Sequence, residues 1–247
     1  MTSPHNSAIV FVHGICGFSS FRLLGKEIQY FRALKTSLRD CPIPIHFSAL
    51  PTTGTIQQRA TFLANYLAQI PEQKIHLIAH SMGGLDSRYT ICRLDPKRCI
   101  QTLTTIATPH RGSPLAEWFA NTPGLIPALG RRIAAPGLYE LTPDACTLFN
   151  YKNPNRSDVT YQSYAGVRTP SEIPMLFRPW ANMVEQCVGE NDSQVAKSSA
   201  IWGEFQGTLQ ADHFELVGWS FGLPNSTIKR PFDHITFYRN LIKHLTS

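Results

Sequence analysis

Short apolar runs alternate along the chain with longer segments whose apolar residues recur every three or four positions. Runs of the first kind are typical of buried strands, and they lie at 8–12, 44–50, 75–79, 103–107 and 160–165. Segments of the second kind predict amphipathic helices, and they lie at 24–38, 56–70, 82–95 and 238–245. Strands and helices in alternation are typical of a mostly parallel sheet with helices on both faces, so the expected fold class is α/β.

The stretch 113–155 interrupts this alternation. Its apolar residues are separated by Pro123, Pro127 and Pro136, and it is much longer than the usual strand-to-helix connection of about 2 to 6 residues. Long structured insertions in compact domains tend to be functional, which favours an active-site cap over a local packing elaboration. We therefore expect one domain over residues 1–247, with a cap inserted at 113–155.

Composition is typical of a compact globular chain. Hydrophobic residues make up 43% of the sequence and charged residues only 16%, against about 25% in an average soluble protein. The longest apolar runs are far shorter than the roughly 18 residues that a membrane-spanning helix needs, so no transmembrane segment is predicted. The net charge is +6, but the basic residues are scattered. This pattern does not favour nucleic acid as a partner, and the excess is typical of a soluble protein or of one attracted to anionic lipid surfaces.

The six cysteines do not predict a metal site. They form no C-x-x-C pair, and no histidine stands beside them at zinc-ligand spacing. Cys16 and Cys92 lie within apolar patterns and are expected to be small buried side chains. The first seven residues lack the basic-then-apolar layout of a secretory signal, so an intracellular location is expected.

The strongest local signal is a serine between a predicted strand and a predicted helix. Ser81 follows the strand at 75–79, and small residues, Ala79 and Gly83, stand two positions to either side. Such a turn, called a nucleophile elbow, lifts the serine hydroxyl above the sheet and needs small neighbours at those positions. The same string also occurs in ordinary glycine-rich connecting turns, but its place between strand and helix favours a nucleophile.

A serine nucleophile needs backbone donors for the oxyanion that forms during acyl transfer. His13 and Gly14 follow the first predicted strand, and Gly14 allows a sharp turn at the carboxyl end of the sheet. The N–H groups of Ile15, in this loop, and of Met82, directly after the serine, are therefore the predicted oxyanion hole.

The general base is sought among nine histidines. In the fold that carries a nucleophile elbow the chain order is serine, acid, histidine. Five histidines precede or adjoin Ser81, and His110 comes before the predicted cap, which leaves His213, His234 and His244. His213 is favoured because it stands in a predicted loop, whereas the other two lie in or beside the last helix.

The acid of the triad should lie on a loop upstream of the histidine. The segment 188–193 is polar and turn-forming, and it contains Asp192. Asp192 is favoured over Glu190 and Asp158, which are more typical of solvated surface acids. Spacing alone does not establish the hydrogen bond from carboxylate to imidazole, so these alternatives stay open.

With these residues in place, the chain resembles the α/β-hydrolase triacylglycerol lipases, especially bacterial family I lipases and their relatives in fungi and other eukaryotes. The segments that carry the resemblance are 12–14 with 17–18, 79–84 with 88–89, 108–113, 191–192, 212–213 and 221–223. The resemblance implies an α/β-hydrolase fold and a triad of Ser81, Asp192 and His213, in agreement with the choice from chain order.

Some positions depart from the pattern of that family. The first elbow position is Ala79 where a glycine is common. Two residues after the histidine, calcium-binding members carry aspartate, whereas this chain has Glu215, and Trp219 replaces a following glutamine. The cysteines do not reproduce the disulfide layout of the family. These departures argue against bound calcium and against secretion, and no metal or other cofactor is expected.

The expected activity is that of a serine ester hydrolase, most simply a lipase that cleaves acylglycerol esters through an acyl-enzyme intermediate. The substrate is then a lipid or ester, met at a lipid–water interface. Residues of the cap are expected to form an apolar surface for the acyl chain, and they are Trp118, Phe119, Leu125, Ile126 and Leu129. A short-chain carboxylesterase or a phospholipase would share the same catalytic groups. A binding scaffold without turnover is a further alternative, which the intact triad disfavours. The sequence does not identify a protein partner.

Overall fold

A computed structural model describes residues 6–23, 26–134, 136–221 and 231–246, and for residues 21–23 and 26–27 it describes the backbone only. The strands are β1 (Ser7–Val12), β2 (Ser20–Leu23), β3 (Lys26–Gln29), β4 (Ile45–Phe47), β5 (Lys74–His80), β6 (Ile100–Ile106), β7 (Thr160–Gly166) and β8 (Glu204–Leu209). The helices are α1 (Leu34–Ser37), α2 (Ile56–Leu67), α3 (Gly83–Tyr89), α4 (Pro114–Asn121), α5 (Leu125–Ala134), α6 (Pro143–Lys152), α7 (Arg178–Val188), α8 (Lys197–Ala200) and α9 (His234–Thr246).

Within the described residues, six strands form one sheet in the order β4-β1-β5-β6-β7-β8, and each neighbouring pair is parallel. β1 and β5 lie inside the sheet, and their register aligns Val12 with Ala79. All six carboxyl ends therefore point to the same edge of the sheet. The predicted α/β fold with a mostly parallel central sheet is confirmed.

The core has two layers because successive residues of a strand face opposite sides of the sheet. On one side, Phe11 of β1 packs edge-on against Tyr238 of α9, with ring centroids 5.4 Å apart. On the other side, Val10 belongs to the same buried cluster as Leu63 of α2. Burial on both faces explains why the central strands are continuous apolar runs.

The prediction of a helix over 24–38 is wrong. The structure has an antiparallel hairpin of β2 and β3, which pairs Phe21 with Ile28, and then the four-residue helix α1. Leu24 and Gly25, which connect the two strands, lie outside the described residues. A two-residue connection that contains glycine is typical of a hairpin, and the three- and four-residue spacing of the apolar side chains masked that signal.

The helix after Ser81 agrees with the prediction in length but changes type. α3 continues as a π-helical segment, Thr90–Leu94, which ends at Asp95 just before Pro96. Cys92 in this segment is half-buried and Cys16 is exposed, so the predicted burial of both is wrong. Each of the six cysteines is a free thiol.

Residues 113–155, called the insertion below, fold as α4, α5, a 3₁₀ turn at Gly137–Leu141, and α6. Leu138 and Leu141 of the 3₁₀ turn pack with Met82 in one buried cluster, so the insertion lies over the residue that follows Ser81. No helix in the described part of the chain combines the length and the apolar character needed to cross a bilayer.

Candidate active site

The carboxyl ends of the parallel strands bring the predicted site residues to one edge of the sheet. Ser81 directly follows β5, and the loop that begins with His13 follows β1. His213 lies after β8, while Asp192 lies after α7, which is connected to the end of β7.

Ser81 has the strained backbone of a nucleophile elbow. Its φ angle is 55°, in the left-handed region that residues with a side chain rarely adopt. Its neighbours leave no room for larger residues: a Cβ on Gly83 would lie 2.7 Å from the Val12 carbonyl oxygen, and one on Gly84 would lie 2.2 Å from the Thr108 hydroxyl. Glycine at these positions is what allows the turn to pass so close to β1.

Ser81, His213 and Asp192 form a continuous hydrogen-bonded chain. His213 Nε2 lies 3.1 Å from Ser81 Oγ, and His213 Nδ1 lies 2.7 Å from Asp192 Oδ2. The other carboxylate oxygen of Asp192 accepts the N–H groups of Gln194 and Val195 at 3.0 and 2.7 Å. Asp192 is acceptor-only, so His213 donates its Nδ1 proton to Asp192 and accepts the Ser81 hydroxyl at Nε2. That is the arrangement in which a histidine can take a proton from the serine.

The other candidates for the base and the acid lie at other positions in the fold, where they have other partners. His234 Nε2 donates to the Arg32 carbonyl oxygen at 2.9 Å. Glu190 accepts from Lys197 at 2.7 Å, and Asp158 forms an ion pair with Arg156 at the protein surface. His244 lies near the end of α9, a helix that packs against one face of the sheet.

The loop after β1, residues 13–17, is called the oxyanion loop below. The carbonyl oxygen of Gly14 accepts His13 Nδ1 at 2.9 Å and the Gly17 N–H at 3.2 Å. In a trans peptide the C=O and N–H groups point in opposite directions, so binding of the Gly14 carbonyl inside the loop turns the Ile15 N–H outward. Among the described residues, neither this N–H nor that of Met82 has an acceptor. Two unpaired donors beside Ser81 Oγ can receive an oxyanion.

His13 is a structural residue that sequence reasoning did not distinguish from the loop around it. Its Nε2 accepts the Leu50 N–H at 3.2 Å, and its Nδ1 donates to Gly14 as above. Burial, together with the nearby charge of Arg59, lowers the pKa of His13 to about 4. The imidazole is therefore neutral at pH 7, and both ring nitrogens hold the oxyanion loop.

Arg59 is a second residue that sequence reasoning missed. It projects from α2 into the core, where its guanidinium pairs with Asp86 of α3 at 2.8 Å and donates to the carbonyl oxygens of His13 and Pro51. Both charged side chains are fully buried. An arginine within an amphipathic helix is usually solvated, so no local pattern could have indicated that this one supports the oxyanion loop.

The insertion and the His213 loop, residues 210–221, meet in a row of aromatic rings. Phe119 of α4 packs on Trp180 of α7 at 5.6 Å, and Phe177 packs on both Trp180 and Phe214, the neighbour of His213. These rings form an apolar wall beside the catalytic candidates. Phe119 was a predicted substrate contact, whereas the other three were not singled out from the sequence.

The predicted acyl surface divides into two parts. Trp118 and Phe119 are partly buried against α7. Leu125, Ile126 and Leu129, which lie on α5, are 86%, 63% and 55% exposed and face solvent. Contact of these three with substrate stays a prediction.

The residues of the His213 loop do not fit a calcium ion. Glu215, where calcium-binding relatives carry aspartate, is bound by both arms of the Arg168 guanidinium, at 3.0 and 3.2 Å. Both side chains are 5% exposed. A buried guanidinium at this carboxylate repels a divalent cation and leaves it no free oxygen pair. Gly222 and Leu223, in the segment 221–223 that carries part of the resemblance, lie outside the described residues.

A cavity of about 810 Å³ lies at the opposite end of the sheet from Ser81, between α2 and the start of β5. Among its lining residues, Cys99 carries a thiol. Burial and the hydrogen bond to Asp95 raise the pKa of this thiol to about 11, so it stays protonated and unreactive at neutral pH. The chemistry therefore belongs to the Ser81 end of the sheet.

Known proteins match this chain at the level of sequence and of fold. A family model described as "PGAP1-like alpha/beta domain" matches residues 4–122. Triacylglycerol lipase 2 of Saccharomyces cerevisiae is 32% identical over 240 residues, which cover 89% of this chain and 74% of that protein. The triacylglycerol lipase of Pseudomonas fragi is 32% identical over 133 residues, which cover 51% of this chain and 42% of that protein. The crystal structure of mature Bacillus licheniformis lipase BlEst2 matches with a TM-score of 0.72 and 22% identity, over 100% of this chain and 94% of that one.

These matches agree with the resemblance stated above. The likeness to the Bacillus structure shows the fold, and the identity to the yeast protein over most of both chains shows the family. The chain therefore belongs to the triacylglycerol lipases of the α/β-hydrolase fold and is a lipase-type carboxylic ester hydrolase.

Proposed function

We propose that this protein cleaves long-chain acylglycerol esters at a lipid–water interface, with Ser81 as nucleophile, His213 as general base and acid, and Asp192 as the residue that orients the imidazole. The observation that carries the proposal is the hydrogen-bonded chain from Asp192 through His213 to Ser81 Oγ. The names of the relatives support the substrate class.

The reaction proceeds in two halves. Ser81 Oγ attacks the ester carbonyl carbon while His213 Nε2 takes its proton, and the Ile15 and Met82 N–H groups bind the oxyanion of the tetrahedral intermediate. When the intermediate collapses, the leaving alcohol takes the proton from His213 and the acyl group remains on Ser81. Water, deprotonated by His213, then attacks the acyl-enzyme, and His213 returns that proton to Ser81 Oγ as the fatty acid leaves.

The insertion, residues 113–155, acts as the cap in this proposal. Ser81 is only 6% exposed, and Leu138 packs against Met82 beside it. An apolar acyl chain can replace these apolar contacts, whereas a small polar ester cannot. Burial of Ser81 beneath the insertion therefore favours lipid substrates over short soluble esters.

Binding to a lipid surface is supported by α5. Four apolar side chains share its solvent side: Leu125 is 86% exposed, and Ile126, Leu129 and Ile133 are each more than half exposed. Single exposed apolar residues are ordinary, but a contiguous helical face of them is typical of interaction with a lipid or protein surface.

The nucleophile is tested with a fluorophosphonate probe, which labels activated serines, and with an ester hydrolysis assay. Ser81→Ala is expected to lose labelling and at least about 10⁴-fold in kcat with its fold intact, because the acyl-enzyme cannot form. Ser198→Ala, which changes an exposed serine on α8, is the control and keeps both. Labelling or turnover that persists in Ser81→Ala contradicts the assignment.

The substrate class is tested by the rates for one alcohol esterified from acetate to palmitate, each followed across its solubility limit. A lipase gives rates that rise with chain length and again when an emulsion forms. A maximum at acetate or butyrate without a rise in emulsion indicates a carboxylesterase instead. A preference for phosphatidylcholine over triacylglycerol indicates a phospholipase.

A further inference from the structure

Tyr30, the residue after β3, joins three parts of the active site. Its hydroxyl accepts the Gly14 N–H of the oxyanion loop at 3.3 Å and lies 2.7 Å from Nδ1 of His80, the last residue of β5. Its carbonyl oxygen accepts the indole N–H of Trp219, in the His213 loop, at 2.9 Å. One residue outside the triad thus contacts the loops of the oxyanion hole, the nucleophile and the base.

The direction of each bond follows from the protons available. A tyrosine hydroxyl has one proton, and its oxygen already accepts from Gly14, so that proton is donated to His80 Nδ1. His80 must then be neutral and carry its own proton on Nε2. Burial, and the charge that His213 acquires, lower the pKa of His80 well below its usual value, in agreement with this tautomer. The rings of His80 and His213 lie 4.5 Å apart.

The His13–Gly14 peptide is hydrogen-bonded on both sides, by Tyr30 on one side and by Arg59 on the other. The Arg59 guanidinium binds the His13 carbonyl oxygen at 2.8 Å, and Tyr30 binds the Gly14 N–H. A peptide unit held at both its C=O and its N–H cannot rotate. The next peptide, which carries the Ile15 N–H, is joined to this one at the Gly14 Cα, and its own carbonyl oxygen is held by His13 Nδ1 and the Gly17 N–H. With both peptides held, the direction of the Ile15 N–H is fixed.

The packing leaves little freedom for Tyr30 itself. A Cβ on Gly14 would lie 3.1 Å from the Tyr30 hydroxyl and 2.8 Å from Ser81 Cβ, and one on Gly17 would lie 2.9 Å from the Tyr30 ring. The oxyanion loop therefore rests directly on the tyrosine ring, with glycines at both points of contact.

We propose that Tyr30 is a positioning residue of the reaction: through Gly14 it aims the Ile15 N–H at the oxyanion, and through His80 it keeps a neutral imidazole beside His213. The proposal rests on the proposed catalytic roles of Ser81 and the Ile15 amide. It assigns no proton transfer to Tyr30, whose hydroxyl stays protonated because burial raises its pKa.

The test compares an ester with the matching thionoester, in which sulfur replaces the carbonyl oxygen. Sulfur accepts hydrogen bonds poorly, so a well-aimed oxyanion hole favours the ester and a loosened one loses that preference. Tyr30→Phe is expected to lower kcat for the ester by about tenfold to a hundredfold, with KM changed less than about twofold, while the thionoester rate falls much less. Tyr164→Phe, a hydroxyl deletion on β7 away from the site, is the control and keeps the wild-type ratio.

His80 supplies the second arm of the test. His80→Asn places an amide oxygen near the position of Nδ1 and is expected to keep most of the ester preference, whereas His80→Leu loses it. Tyr30→Phe combined with His80→Leu is expected to be no worse than either change alone, since both break one chain. An unchanged kcat in Tyr30→Phe, or equal losses for ester and thionoester, overturns the proposal. An inactive wild type, or an active Ser81→Ala, would instead contradict the catalytic roles on which it rests.

Discussion

Arg168 and Glu215 show how one buried ion pair can hold His213, the proposed general base. The guanidinium binds both oxygens of the carboxylate, and the same carboxylate accepts the Asp212 N–H at 2.9 Å, one residue before His213. The backbone N–H of Arg168 also donates to the carbonyl oxygen of Asn191, the residue before Asp192. The pair therefore connects the segment after β7 with both loops that carry His213 and Asp192.

This arrangement predicts stability that depends on the arginine and not on calcium. Arg168→Met leaves a buried carboxylate without its partner and is expected to cost about 3–5 kcal/mol in the free energy of unfolding. Arg168→Met with Glu215→Gln removes both charges but keeps an acceptor for Asp212, so it is expected to recover a large part of that loss. Urea unfolding measures both variants.

The same experiment includes a chelator. Wild-type activity and stability are expected to be unchanged by EGTA and by added calcium. A loss of activity with EGTA that calcium restores, or a double variant less stable than the single one, contradicts this account.

At the scale of elements, α5 is divided between two environments. Gly130 faces Phe119 of α4, where an added Cβ would lie 2.4 Å from the ring, so this side is packed against the protein. Leu125 and Leu129 lie on the opposite, exposed side. A helix with one packed and one apolar exposed side can meet a lipid surface without refolding.

Polar substitutions on the exposed side of α5 are therefore expected to lower turnover of emulsified substrate and to leave turnover of soluble substrate unchanged. Leu125→Gln with Leu129→Gln is expected to lower turnover of emulsified triacylglycerol by about tenfold or more, since burying a leucine is worth about 1.5–3 kcal/mol. Turnover of a soluble ester is expected to stay near wild type. Leu148→Gln, on the exposed side of α6 and 52% exposed in the wild type, is the matched control. Equal losses on both substrates would show that α5 acts on the chemistry and not on binding to the interface.

At the scale of the whole molecule, buried ionisable groups set the response to acid. Burial lowers the pKa of His13, His80 and His110, so these histidines are neutral in the folded chain but take up protons when it unfolds below about pH 6.5. Their contribution to stability is present above pH 6.5 and is lost as the pH falls. Burial raises the pKa of Asp86 to about 7 and that of Asp212 to about 6, and these carboxyls act in the opposite sense.

Burial also lowers the pKa of His76 and raises that of Glu140, so four histidines stand against three carboxyls. This leaves a net uptake of about one proton on unfolding near pH 5 to 6. The free energy of unfolding is thus expected to fall by about 1.4 kcal/mol per pH unit as the pH is lowered through this range. Urea unfolding at a series of pH values measures the slope. His110→Gln removes one of the histidines and is expected to flatten it, and a wild type that becomes more stable between pH 6.5 and 5 would contradict the argument.

Features that depend on contiguous residues are predictable from the amino-acid sequence. The strand, the elbow around Ser81 and the helix after it are neighbours in the chain, and small residues at fixed offsets are required by local geometry. Chain order then separated His213 from the other histidines, and loop composition favoured Asp192. Contact of α5 with substrate and an intracellular location stay predictions.

The distant groups that support the site around Ser81 become apparent only in the folded chain. The bond of Tyr30 to His80 joins residues fifty positions apart, and those of Arg59 to His13 and Arg168 to Glu215 are almost as distant in the chain. The β2–β3 hairpin ends just before Tyr30, in a segment whose hydrophobic spacing predicts a helix instead. Hydrophobic spacing records which side chains are buried, but it does not record which polar group a buried tyrosine or arginine meets, because that depends on how the loops at the sheet edge come together in space.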